Sequence, residues 1–215
     1  MSIFQEDIKQ LKKLLKALPK YWEGKACVLE LKEADYNWRQ MEWWAFYFEY
    51  KCMQLLNEKF QIPGDKFNNV QFDLKGQINW DFKAAAIKTH VYKIILNDVE
   101  AMKQSIKLHG YHGEIIALCD VEYNDVNRSF QKWHTELKGG KSKYELEREL
   151  RTSVSRYRKT KSILTEIIFI VLSQKDLDTL DIMKQGRNSN GNPRKEKYMF
   201  DLEMLDQYDH EVLKF

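Results

Sequence analysis

Phe72-Asp73-Leu74-Lys75-Gly76-Gln77-Ile78-Asn79-Trp80-Asp81-Phe82-Lys83 reads as two short strands joined by a tight turn at Gly76. Residues i and i+2 share one face of a strand. Asp81 and Lys83 therefore point one way, while Trp80, Phe82 and Ala84 point into the opposite layer. Symmetrical pairing about Gln77 sets Asp73 across from Asp81, on the same face. Two converging carboxylates suit a hard divalent cation such as Mg2+, which takes oxygen ligands and keeps several waters. A lysine beside them can orient a water or stabilise charge on a phosphate. These are the parts needed for metal-assisted hydrolysis of a phosphodiester. Asp-x-Lys on a strand is also common as a solvated, ion-paired face, so the surrounding sequence has to decide.

Upstream of the hairpin, residues 5–17 carry a helical apolar period through Ile8, Leu11, Leu14 and Leu15 that stops before Pro19. A second helix is expected over roughly 34–60, opening near Asp35. Its aromatic residues, among them Trp38, Trp43, Trp44, Phe46, Tyr47 and Phe48, imply burial on most sides. Pro63-Gly64 marks a turn, and two strands are expected at about 69–75 and 78–89. Asn97-Asp98 has the character of an N-cap for a helix carrying Val99, Met102, Ile106 and Leu108 and ending at Gly110. Glu114-Ile115-Ile116-Ala117-Leu118-Cys119-Asp120-Val121 is an apolar run of strand length. A strand-helix-strand crossover sets strands 78–89 and 114–122 parallel in one sheet. The expected fold is mixed α/β, a central mixed β-sheet flanked by helices.

With 215 residues, 43% hydrophobic and 13% aromatic, the chain can bury one sizeable core, and a single domain over residues 1–215 is expected. A net charge of +3 excludes a histone-like polycation. No apolar run approaches the ~18 residues that span a bilayer, and Met1-Ser2-Ile3-Phe4 lacks a signal-peptide pattern. Cys27, Cys52 and Cys119 are odd in number and widely spaced, which implies reduced thiols and a cytoplasmic protein without membrane association. The histidines His90, His109, His112, His134 and His210 form no metal-binding pair on a helix, and His109 and His112 are expected at a helix end, as solvated or capping residues. Phosphate-binding, dinucleotide-binding and serine-elbow motifs are absent, so no nucleotide cofactor is expected.

The hairpin Asp73…Asp81-Phe82-Lys83, with a helix before it and a helix-strand unit after it, resembles the catalytic core of the PD-(D/E)XK nucleases, and within them the type II restriction endonucleases. The resemblance covers roughly residues 35–123, including Trp38-Arg39-Gln40-Met41-Glu42-Trp43-Trp44, which is similar to an acid-bearing N-terminal helix of several such enzymes. One departure is that Phe72, and not a proline, precedes Asp73; the only Pro-Gly-Asp is Pro63-Gly64-Asp65, which keeps Asp65 open as the first motif acid. Asp73 is preferred because it lies in a strand pattern and can face Asp81. The resemblance implies that Asp73, Asp81 and the carbonyl of Phe82 bind Mg2+ and that Lys83 positions the attacking water. It also implies that Glu42, or Glu49 about two turns further on, adds a carboxylate. It implies a homodimer that cuts double-stranded DNA at a specific site. A repair or junction-resolving nuclease and a non-catalytic DNA-binding module on a nuclease-like fold are the alternatives.

The distal half, about 138–200, has the composition of the DNA-reading part. Lys138 to Lys161 carries nine Lys/Arg against three acids. A helix beginning near Ser142 and carrying Arg151, Arg156, Arg158 and Lys159 would lie against phosphates, and Thr165–Leu172 reads as a buried strand. The loop Gly186–Lys195 contains Arg187, Asn188, Asn190, Arg194 and Lys195. Arginine and asparagine make bidentate contacts with guanine and adenine edges, although Asn-Gly also serves plain surface turns.

Overall fold

The first helix, α1 (Gln5–Leu15), follows its apolar period: Ile8, Leu11 and Leu15 are buried along one face, and the carboxylate of Asp7 is buried beside them. Strand β1 (Tyr21–Glu23) leads directly into α2 (Gly24–Glu33), whose N-cap Glu23 accepts the Ala26 N–H at 2.8 Å. The aromatic segment expected as one helix over 34–60 is instead a turn region followed by α3 (Trp43–Leu56). Asp35 and Asn37 take positive φ values of 50° and 40°, a conformation that short polar side chains tolerate best among non-glycine residues. This breaks the chain between α2 and α3 and leaves Glu42 at the N-cap position, outside the helix. Trp43, Trp44, Tyr47, Phe48, Cys52 and Leu56 of α3 are buried.

The computed structural model describes residues 3–63, 72–87, 93–141, 145–146, 158–184, 186 and 191–215. Within it the hairpin pairs β2 (Leu74–Lys75) with β3 (Asn79–Ala86) antiparallel, Leu74 against Trp80 and Lys75 against Asn79, which is the register centred on Gln77. Both strands are shorter than expected; Gly64, Asp65 and residues 69–71 lie outside the described residues, as do 88–92. Asp7 anchors the turn by accepting the N–H groups of Gln77 at 2.8 Å and Ile78 at 3.3 Å and the indole N–H of Trp80 at 3.0 Å.

Strand β4 (Lys93–Asp98), not anticipated as a strand, precedes α4 (Val99–His109). The caps of α4 are the expected ones: Asp98 accepts the Ala101 N–H at 3.1 Å, and Gly110 follows with φ 79°. Strand β5 (His112–Glu122) then lies parallel to β3. Helix α5 (Ser129–Leu137) and β6 (Lys161–Leu172) follow. The one-turn helix α6 (Gln174–Leu177), β7 (Asp181–Met183), β8 (Lys197–Asp201), a 3-10 segment (Leu202–Gln207) and β9 (Asp209–Lys214) complete the chain. Of the helix expected from Ser142, Glu145 and Leu146 are helical and 147–157 lie outside the described residues. Arg158–Thr160 is a non-helical connector, and Lys161 already belongs to β6.

The main sheet is mixed and flanked by helices. Strands β1 and β9 share one edge of β6, followed by β5, β3 and β2, with only β3 and β5 parallel. A second, antiparallel sheet runs β4-β8-β7. One face of the main sheet (Trp80, Phe82, Ile115, Ala117, Phe169) packs on α1, α2 and α3. The other face (Ile116, Leu118, Ile168, Ile170) packs on α4 and the second sheet. The three cysteines are unpaired and buried. Among the described residues, no helix is long and apolar enough to cross a membrane.

Candidate active site

The parallel register of β3 and β5 sets Asn79 beside His112 and Asp81 beside Glu114. Alternation turns all four toward α4, on the face opposite Trp80 and Phe82. Gly113 separates the two β5 residues because the Trp80 ring covers it; a Cβ there would stand 2.1 Å from the indole. His112 Nε2 lies 3.1 Å from Asp81 Oδ2 and 3.5 Å from Glu114 Oε1. Asn97, from β4, donates to Asp81 Oδ2 at 2.6 Å. Ser105 Oγ, from α4, lies 3.1 Å from both Asn79 Nδ2 and His112 Nδ1. Burial pushes the His112 imidazole down, but the Asp81 and Glu114 carboxylates outweigh it and raise its pKa to about 9. Burial pushes Asp81 up, and Lys83, His112 and Asn97 together hold it below the usual carboxylate range.

Asp73 stands across the hairpin from Asp81, as expected. Its own N–H donates to the Trp80 carbonyl at 3.1 Å, and its Oδ2 accepts the Phe82 N–H at 2.8 Å. Burial, and then the charges of Asp81 and Glu49, push its carboxyl well above the ordinary value. Lys83 Nζ donates to the Phe82 carbonyl at 3.2 Å and lies 3.7 Å from Glu114 Oε2. Burial alone would lower the Lys83 pKa, but Glu114, Asp81, Asp73 and Glu49 keep it above the normal lysine value. Glu49 is pushed up to about 7 by burial, assisted by Asp81 and opposed by Lys83 and Tyr36. Four carboxylates thus act on the charge of one ammonium, Glu114 at 3.7 Å.

Glu42 lies elsewhere: it accepts Lys159 Nζ at 2.7 Å and Trp44 Nε1 at 2.8 Å. Burial raises its pKa less than Lys159 and Trp44 lower it, so its carboxyl stays below the usual value. The α3 carboxylate facing Lys83 is Glu49, the other residue considered for this role. A cleft of about 870 Å³ opens here, lined by Glu49, Asp73, Phe82 and Lys83 and bordered by Lys159 and Lys197. Asp81, His112 and Glu114 sit behind Lys83, outside the cleft wall.

The sequence did not point to His112 or Glu114. His112, expected as a solvated or capping histidine at a helix end, is fully buried in β5. Glu114 reads in the sequence as the start of an apolar strand. The available signal was His112-Gly113-Glu114 itself, two ligand-type residues at i and i+2 on a strand parallel to the one carrying Asp81.

Of the expected DNA contacts, Lys159 holds its ammonium 4.7 Å from the Trp44 ring and 5.6 Å from that of Tyr123. Arg158 Nη2 is 3.9 Å from Glu145. The Arg194 N–H closes its loop onto the Gly186 carbonyl at 2.9 Å, and Lys195 Nζ is 3.7 Å from Asp98. Arg151, Arg156, Arg187, Asn188 and Asn190 lie outside the described residues. No protein-family model, curated protein or solved structure matches this chain. The resemblance to the nuclease superfamily therefore rests on the residues themselves.

Proposed function

We propose that this protein is a Mg2+-dependent endonuclease that hydrolyses phosphodiester bonds of double-stranded DNA, with Asp73, Asp81 and Lys83 at its centre. The observation that carries the reading is the hairpin register, which sets Asp73 across from Asp81, with Asp73 and Lys83 lining one cleft and Asp81 behind Lys83. The donor set fits a hard cation, because Asp73, Asp81 and the Phe82 carbonyl offer oxygen alone. Burial raises Asp73 most, and the repulsion from Asp81 and Glu49 that adds to it is the kind a bound cation relieves. When bound, such an ion polarises a phosphoryl oxygen and acidifies a coordinated water.

The remaining chemistry belongs to the chain. Lys83, kept charged by its carboxylates, offers a positive group to negative charge developing on the phosphate. Glu49, with a pKa of about 7, is suited to accept a proton at neutral pH. Lys159 and Lys197 at the cleft favour a polyanionic ligand. The proposal extends to restriction-type cleavage by a homodimer, since cutting both strands of a palindrome takes two centres related by two-fold symmetry.

Incubation with mixed plasmid DNA and Mg2+ tests this reading, and discrete fragments are expected. Asp81→Asn is expected to bind DNA and not cut it, because loss of a ligand charge removes several kcal/mol of transition-state stabilisation. Near-wild-type cutting by that variant would sink the assignment. Binding without cutting by the wild type would leave only a DNA-binding module.

A further inference from the structure

Asp81, His112 and Glu114 each bring one ligand-type atom within 4.8 Å of those of the other two, and none of the three residues is more than 2% exposed. Although His112 Nε2 is 3.1 Å from one carboxylate and 3.5 Å from the other, it makes a hydrogen bond of proper direction with neither. Both oxygens of Glu114 also lack a hydrogen-bond partner among the described residues. The Lys83 ammonium, 3.7 Å away, is beyond hydrogen-bond length. Buried carboxylate oxygens without donors are costly and rare. An imidazolium serving these acids would align its N–H with one of them. Here three atoms of ligand type stand together instead.

The surrounding residues hold that arrangement. The β3–β5 register fixes Asp81 beside Glu114, and Asn97 fastens Asp81. Ser105 engages His112 Nδ1 and so turns Nε2 toward the acids; a partner on the second ring nitrogen is characteristic of metal-binding histidines. We propose that Asp81, His112 and Glu114 form a closed site for a divalent cation of the Mn2+, Co2+ or Zn2+ class. It shares Asp81 with the oxygen-only set proposed above and is otherwise separate from it. An imidazole nitrogen with two carboxylates suits these ions. Mg2+ prefers six oxygens, several of them waters, which so enclosed a site does not admit. Closure also marks the site as structural, a clasp between β3 and β5 beneath Lys83.

The test reads metal content and not DNA cleavage. Chelator-stripped protein is loaded with Mn2+, dialysed against excess Mg2+ and assayed for retained Mn2+. Protein carrying 15N-labelled histidine is examined in parallel by pulsed electron paramagnetic resonance. One retained Mn2+ per chain with histidine-nitrogen coupling is expected. Asp73→Asn should keep it, whereas His112→Gln should weaken binding by about 100-fold or more. Glu114→Gln, which preserves shape, serves as a second variant if His112→Gln does not fold, and it should show a comparable loss. No retained ion, no nitrogen coupling in the wild type, unchanged affinity in Glu114→Gln, or equal loss in Asp73→Asn would each overturn the proposal. Failure of the wild type to cut DNA would count against the nuclease reading and leave these results standing.

Discussion

The carboxylate of Asp7 occupies the space that a side chain at Gly76 would need: a Cβ there would stand 2.5 Å from both Asp7 oxygens. Asp7 cannot swing aside without abandoning Gln77, Ile78 and Trp80. Gly76→Ala is therefore expected to destabilise the fold by about 1–3 kcal/mol, and Asp7→Ala by at least as much, because each strands buried donors. Urea unfolding at constant m measures both. A Gly76→Ala midpoint equal to that of the wild type would show that the turn accommodates the methyl freely.

Glu49 lines the cleft with Lys83 and Asp73, whereas Glu42 holds Lys159. Glu49→Gln removes the carboxylate beside Lys83 and Asp73 and is expected to lower kcat by about 100-fold, at the low end for a group that handles a proton. Glu42→Gln frees Lys159 and should change DNA affinity while sparing kcat. Single-turnover cleavage at saturating enzyme separates the two effects, and the opposite pattern would return the catalytic role to Glu42.

Stability of the metal-free protein should fall as pH rises across the neutral range. His112 has a folded pKa of about 9 against an ordinary 6.5, and Glu49 one of about 7 against 4.5. Both are raised, so the native state binds more protons than the unfolded one. Each contribution is complete below the ordinary value and is lost as pH climbs through the folded value. Asp81 and Glu42, both held low, act only on the acid side of this window, and His134, held low by burial, opposes the two raised groups within it. A declining Tm from about pH 4.5 to 9 in chelator is expected, with Glu49→Gln flattening the lower part and His112→Gln the upper. A Tm that rises across this window contradicts the assignment.

Lys159 and Arg194 should affect DNA differently. Phosphate contacts are blind to sequence, and each adds about 0.9 to the slope of log affinity against log salt. Lys159→Ala is expected to weaken all duplexes and to flatten that slope by one such step. Arg194→Ala should cost about 1–3 kcal/mol on the cognate duplex alone, as for a bidentate base contact. Competition between cognate and scrambled duplexes at two salt concentrations distinguishes them; equal losses for Arg194→Ala would end its recognition role.

The β3–α4–β5 unit was legible because its signals are local. Asp98 caps, Gly110 terminates, and Val99, Met102 and Ile106 repeat at helical spacing between them. The hairpin register followed from alternation about Gln77. The break before α3 was not legible, since it depends on Asp35 and Asn37 adopting a backbone conformation that their identities permit without requiring. The second sheet pairs Ile94 with Phe200, a contact that no sequence window contains. His112 and Glu114 were hidden for a different reason. Strand β5 is buried on both faces, so the contrast of polar and apolar sides that marks a one-sided strand is missing.

Strand β6 gathers its neighbours from distant parts of the chain: Tyr21–Glu23 and Asp209–Lys214 line up end to end along the same edge, and β5 takes the other. Such a sheet has no stable half-built form. Until Asp209–Lys214 arrives, the apolar stretch Ile167–Leu172 keeps an open row of backbone donors and acceptors that a second chain can capture. Pairings this remote in sequence make for slow, all-or-none assembly. In the newly made protein, aggregation and folding compete for one strand edge, and β9 is the segment that closes it.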